Sequence, residues 1–249
     1  MTGPMRLVAS FPALMTCCCV LSLPGNATAQ ERAKGWRFDV EIYGYAPGMT
    51  GDVVVRGIPA DLNLPFDKIW DNLDLGGMGR VRVAYDRWAV STDVVYMGLG
   101  ASKGGVIADF NQWMVQPQLE YRVLPWLDIT GGARYNNLNG EIRGPGVLPI
   151  ARIPSGVQEW WDPVLGTLIR VPLFSSFSLH VRGDIGGFGV NSDLTWQAEP
   201  MLHWRFAKWG TLAAGYRWYY VDYQTGAGRD AFGYDMMIHG PEFGVTFHF

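Results

Sequence analysis

The chain has 249 residues, of which 48% are hydrophobic, 14% aromatic and only 17% charged, with 32 Gly and 11 Trp. Low charge with many aromatic rings excludes a disordered chain, and a net charge of −3 leaves no basic excess for a nucleic-acid partner. A membrane protein or a secreted β protein remains.

Met1–Ala29 reads as an address. Arg6 supplies a positive charge, 7–23 is mostly apolar, and Ala27-Thr28-Ala29 offers small residues, the layout of a secretory signal peptide cut before Gln30. A retained anchor fits less well, because Pro12 and Pro24 bracket a run too short to span comfortably. Cys17, Cys18 and Cys19 raise a lipoprotein signal, but Leu14-Met15-Thr16 lacks the small residues expected before a lipidated Cys. With all three cysteines in this segment, the remaining domain, 30–249, is expected to carry no disulfide and no Cys-ligated metal.

After Gln30 no run of eighteen apolar residues occurs, which excludes a helical span. Period two takes over, starting with a strand predicted at 36–48. The connection that follows, 49–75, holds a strand-like Val53-Val54-Val55 and the one segment of helical spacing, Phe66, Ile69, Trp70 and Leu73 at i, i+3, i+4 and i+7. A helix this short is marginal alone. It is expected to pack as a cap, with a lid or plug as the functional alternative.

Further strands are predicted at 76–86, 89–100, 106–122, 126–140, 158–172, 177–189, 193–206, 210–223 and 235–249, ten in all. In the last, Phe243, Val245, Phe247 and Phe249 share one face, and Glu242, Gly244, Thr246 and His248 the other. Pro117, Pro163 and Pro200 each remove a ladder hydrogen bond, so bulges are expected there. Gly183–Gly189 looks like a nucleotide loop but opens no helix, and its glycines read as bends in a wall. Tight connections at 86–88, 124–125, 174–176 and 207–208 alternate strictly with longer ones at 49–75, 101–105, 141–157, 190–192 and 224–234. Transmembrane barrels have that asymmetry, and an even strand count puts both ends on one side.

The polar face separates a barrel from a soluble sandwich. It carries Arg37, Arg80, Arg82, Arg122, Arg134, Arg170, Arg182, Arg205 and Arg217, with Asp39, Glu41, Asp93, Glu120, Asp128, Asp162, Asp184, Glu199 and Glu242, and no Lys. A hydrated outer face would use Lys freely, whereas a confined interior favours the flat guanidinium fork that pairs carboxylates. These eighteen residues are therefore expected to form a charge network filling a narrow lumen, with the apolar face turned to lipid. Trp36, Trp88, Trp126 and Trp209 fall at the short-turn ends, and Trp113, Trp161, Trp196 and Trp218 towards the other, as two aromatic girdles would.

With its signal-like start, ten alternating segments and Phe243–Phe249 ending, the chain resembles Gram-negative outer-membrane β-barrel proteins of the small porin-like class. The resemblance covers about 36–249. It implies a closed all-β antiparallel transmembrane barrel of eight to twelve strands in the outer membrane, with membrane lipid and the barrel-assembly machinery as partners. Phe247 and Phe249 match the C-terminal aromatic signal that such machinery reads. No cofactor or metal is expected.

On function the resemblance is nearly silent. A non-enzymatic barrel, structural or passing small solutes poorly, is the first expectation, with a monomer as the expected state. A rim protease is the second, since His239 lies near Asp235 towards the long-loop end; His180, His203 and His248 read as members of the interior network. A lipase would need a Ser–His pair on the lipid face, where few polar groups stand. A secreted β-sandwich binding module is the third, though it leaves the Trp-rich strand ends without a reason.

Overall fold

The computed structural model describes residues 35–55, 57–71, 73–103, 106–143 and 157–249; at 70, 73–75, 99–103, 106–110 and 141–143 it describes the backbone alone. The signal-peptide expectation, Met1–Ala29, lies outside these residues.

Among the described residues there are twelve strands and one short α-helix: β1 (Trp36–Tyr45), β2 (Gly48–Val55), β3 (Ile58–Leu64), α1 (Phe66–Asp71), β4 (Leu73–Tyr85), β5 (Trp88–Lys103), β6 (Val106–Leu124), β7 (Leu127–Arg143), β8 (Val157–Phe174), β9 (Phe177–Gly187), β10 (Ser192–Trp204), β11 (Gly210–Thr225) and β12 (Phe232–His248). Ten of them close a ring in the order β1-β4-β5-β6-β7-β8-β9-β10-β11-β12, sealed by β12 pairing back onto β1. Every adjacent pair is antiparallel, as hairpin connectivity demands. Closure satisfies the backbone groups that an open edge would expose to hydrocarbon. At the seam, Phe38 and Phe249 exchange backbone hydrogen bonds of 3.3 and 2.9 Å, so the start of β1 and the end of β12 lie together at the short-turn rim.

The hairpin β2–β3 was not foreseen as such. β2 continues β1 past a break at Ala46-Pro47, and β12 follows both: its residues 242–248 pair with β1, its residues 232–239 with β2. Beyond Ile42↔Gly79 the β1–β4 ladder stops, and the upper part of β4 pairs only with β5. Between β3 and β4 in the chain stands α1, whose Ile69 is buried in the apolar core with Met49. The helix ends at Asp71, so Leu73 opens β4 instead of completing the helical stripe. Phe66 is exposed.

The bulges expected at Pro117, Pro163 and Pro200 are absent, and the register passes all three without a shift. Each proline carbonyl instead faces a glycine on the neighbouring strand. A Cβ on Gly132, Gly186 or Gly215 would lie 2.1, 2.4 or 2.1 Å from the carbonyl oxygen of Pro117, Pro163 or Pro200. Where proline removes a ladder donor the wall bends, and glycine lets the two backbones approach.

Outward positions form an apolar band. Ile42, Val81, Val90, Leu119, Ile129, Leu165, Leu202 and Phe243 are all exposed on it. Cross-strand aromatic pairs border it: Trp36–Tyr85 (5.0 Å between centroids) and Trp88–Tyr121 (4.7 Å) at the short-turn end, Tyr96–Trp113 (4.5 Å) and Tyr135–Trp161 (4.9 Å) above. Along β5 the girdles are eight residues apart, Trp88 to Tyr96. That is roughly 27 Å of strand, or about 20 Å of height at the usual barrel tilt, close to the hydrocarbon band such barrels present.

Candidate functional site

Seventeen of the eighteen charged residues singled out from the sequence stand on inward registers, Arg205 lies just past the end of β10, and most of the set meet across the lumen. In the belt, Arg80 on β4 reaches Glu41 on β1 (3.0 Å), Asp93 on β5 (3.4 Å) and Glu199 on β10 (3.0 Å). Arg217 on β11 takes Asp93 (3.0 Å), Gln197 (2.9 Å) and the Tyr43 hydroxyl (3.0 Å), with Glu242 at 3.8 Å. Arg134 on β7 donates to Gln116 (2.8 Å), Thr195 (2.8 Å) and Asp184. Tyr219 on β11 closes the layer by donating to Asn136 on β7 (2.8 Å) beneath the Arg134 guanidinium.

Towards the short-turn end the pairing thins. Asp128 receives three guanidinium groups, from Arg170 (2.7 Å), Arg122 (2.9 Å) and Arg82 (3.9 Å); Arg82 also holds Glu120 (2.8 Å) and Asp39 (3.6 Å). His248 bonds Asp39 and Thr211, and the His180 and His203 rings stack at 3.9 Å. Arg37 lines the same space.

Three members of the set make no ion pair among the described residues. Asp162 is capped by the Ser192 backbone and hydroxyl (2.8 and 2.6 Å) and by the Trp160 indole (3.0 Å). Arg182 donates to Gln118 at 3.5 Å, its Nε is buried without a hydrogen-bond partner, and Glu120 and Glu199 act on it from beyond contact distance. Arg205 donates to the Lys208 carbonyl (3.1 Å).

The charge network, expected to fill most of the lumen, shares it with an apolar layer. Above the belt the inward face turns apolar: Met97, Met114, Leu138, Trp160, Tyr219, Val221, Tyr223, Tyr234, Met236 and Ile238 join Ile69 of α1 in one cluster. Trp160 and Tyr223 stack across it at 4.0 Å with planes 1° apart. Apolar side chains from facing walls pack here as they would in a soluble core. The signal was present along β11, where the inward register runs Arg217, Tyr219, Val221, Tyr223. It was hidden because Trp218 and Tyr220 on the outer face are as aromatic as Tyr219 within, so alternation marks the inside only weakly there. Among the described residues a cavity of about 540 Å³ lies below the belt and one of about 30 Å³ above it.

Remaining candidates fall elsewhere. His239 points outward, where its Nδ1 meets the Tyr216 hydroxyl at 2.7 Å, in an aromatic group with Trp218. Asp235 is held by the Tyr220 hydroxyl. Phe247 lies on the outer wall at the seam, stacked on Trp209. Among the described residues no group of three or more His, Cys, Asp or Glu is placed to hold a metal ion.

A closed sheet, oily and aromatic outside, ion-paired inside, is a transmembrane β-barrel: hydrocarbon tolerates no other way of crossing with strands. Its fold is that of Gram-negative outer-membrane proteins. The Escherichia coli outer-membrane protease OmpT superposes with a TM-score of 0.50 at 9% identity, over 87% of this chain and 98% of that one. Ail of Yersinia pestis gives a TM-score of 0.37 at 10% identity, over 87% of this chain and all (100%) of that one. An outer-membrane channel from Pseudomonas putida F1 gives 0.39 at 11% identity, covering 90% and 98%. No family model matches the chain, and no curated protein sequence matches it.

Proposed function

We propose that this protein is a non-enzymatic barrel of the Gram-negative outer membrane whose lumen is sealed at mid-height, with a structural role or at most a trickle of small solute. One observation carries the reading. Arg80 and Glu199, on strands four apart in a ring of ten, join two facing walls through paired contacts, and Arg217–Asp93 repeats the span. Through a ring this small such bridges leave side chains where a pore would hold water. The apolar layer above adds a second barrier. Both depend on packing that a hydrated channel would lack.

OmpT shares the fold, so the non-enzymatic part of the proposal rests on the residues. At the long-loop end His239 is engaged by Tyr216 and Asp235 by Tyr220, and a water-activating His–carboxylate pair would need them facing one another. Planar-bilayer recording on the refolded domain tests the whole reading. Stable openings are not expected; a large, persistent conductance would overturn the seal. Cleavage of a peptide library that is abolished by His239→Ala would overturn the non-enzymatic part.

A further inference from the structure

We infer that the cavity below the belt is a binding site for a soluble, multiply charged phosphate-type anion entering from the short-turn mouth. It goes beyond the sealed-barrel reading, which it needs only to name that mouth as periplasmic. The cavity is about 540 Å³, within the range of small-molecule sites. Its lining brings eight Arg and Lys side chains against three carboxylates, Asp39, Glu41 and Glu199. Adding the carboxylates behind that wall, Asp93, Glu120 and Asp128, still leaves six anions for eight cations. The lining itself thus presents more cations than carboxylates to the cavity.

Geometry adds to the count. Three guanidinium groups share the single Asp128 carboxylate, from β4, β6 and β8. Arg182 is 9% exposed, lines the cavity, makes no ion pair among the described residues and keeps its Nε without a partner. Glu41, Asp93, Glu120 and Glu199 act on this guanidinium from beyond contact distance, and an anion in the cavity would give it the direct partner it lacks. Arg205 and Lys208 stand at the mouth, on and beside the β10–β11 turn. Low-dielectric walls focus such a field towards the opening, and Arg forks suit phosphate oxygens two at a time. At this height β1 is laddered to both β4 and β12, and the other pairs are likewise hydrogen-bonded, so a lipid headgroup has no sideways route in.

The test is titration calorimetry of the refolded protein in a neutral maltoside detergent, with pyrophosphate as probe and chloride matching the ionic strength. Saturable binding is expected. It should weaken at least tenfold in Arg170→Gln/Arg182→Gln and clearly in Arg205→Gln/Lys208→Gln, which lies outside the buried network and keeps the fold. Arg87→Gln removes a charge from a turn at the same end without touching the lining and should bind as the parent does. Absence of binding, or equal weakening by Arg87→Gln, would overturn the site. A response to phosphatidic acid in the micelle but not to pyrophosphate would overturn the soluble ligand.

Discussion

Arg80 and Glu199 form a two-point contact across the barrel, Nη1 to Oε1 at 3.2 Å and Nη2 to Oε2 at 3.0 Å, from side chains that are almost wholly buried. Neither can turn to water if the other is lost. Glu199→Gln is expected to cost about 1–3 kcal/mol, because Arg80 loses its two-point partner but keeps Glu41 and Asp93. Arg80→Met should cost more, about 3–5 kcal/mol, because it takes the paired cation from both Glu41 and Glu199. Urea unfolding in detergent or lipid vesicles checks this; a loss for Glu199→Gln equal to that for Arg80→Met would refute it.

Glu242 offers the contrast. It is 1% exposed, its nearest cation is Arg217 at 3.8 Å, and neither carboxylate oxygen has a hydrogen-bond partner. A charge so poorly compensated contributes little to stability. Glu242→Gln should therefore be neutral or stabilising, by up to about 1–2 kcal/mol in the same unfolding experiment. A loss as large as that of Glu199→Gln would mean that the belt acts as one unit.

The proline–glycine contacts predict where the wall has no room. Gly132→Ala and Gly215→Ala each force a methyl to 2.1 Å from a backbone carbonyl, and backbone cannot swing aside as a side chain can. Both variants should refold poorly, with a loss on the order of 3 kcal/mol or more. Gly131→Ala, whose new methyl meets only the Leu165 side chain at 3.4 Å, is the control and should change little. The readout is the fraction refolded into vesicles, followed by the mobility shift of folded barrels on electrophoresis.

Trp160 combines a stacked ring with an indole donor shared between Asp162 and Ser192. Trp160→Ala removes both and opens a void in the upper layer, for about 3–5 kcal/mol. Trp160→Phe keeps the stack but removes one of the three donors to Asp162, and should fall between. If the upper layer is a seal, bilayer recordings of Trp160→Ala should remain closed while the belt is intact. Openings in that variant alone would place the barrier at the ring stack instead.

Inside and outside were legible from the residues. Arg for Lys on one face and Trp at strand ends on the other follow from what each solvent tolerates, and ten strand segments emerged with ends within a few residues. Those signals are local, because a strand's two faces alternate along the chain whatever its partners are. The partners themselves were not legible. That β12 divides its length between β1 and β2, that Pro200 finds Gly215 across the ladder, and that Arg80 finds Glu199 four strands away depend on how the ring closes.

What the sequence by itself determined is the class of surface: alternation, and the choice of charge carrier, decide which face meets acyl chains. Only the tertiary structure decided which arginines meet a carboxylate directly, as Arg80 does, and which, like Arg182, meet none at contact distance. Ion pairing falls steeply with distance, so the outcome depends on positions that no periodicity along the chain records.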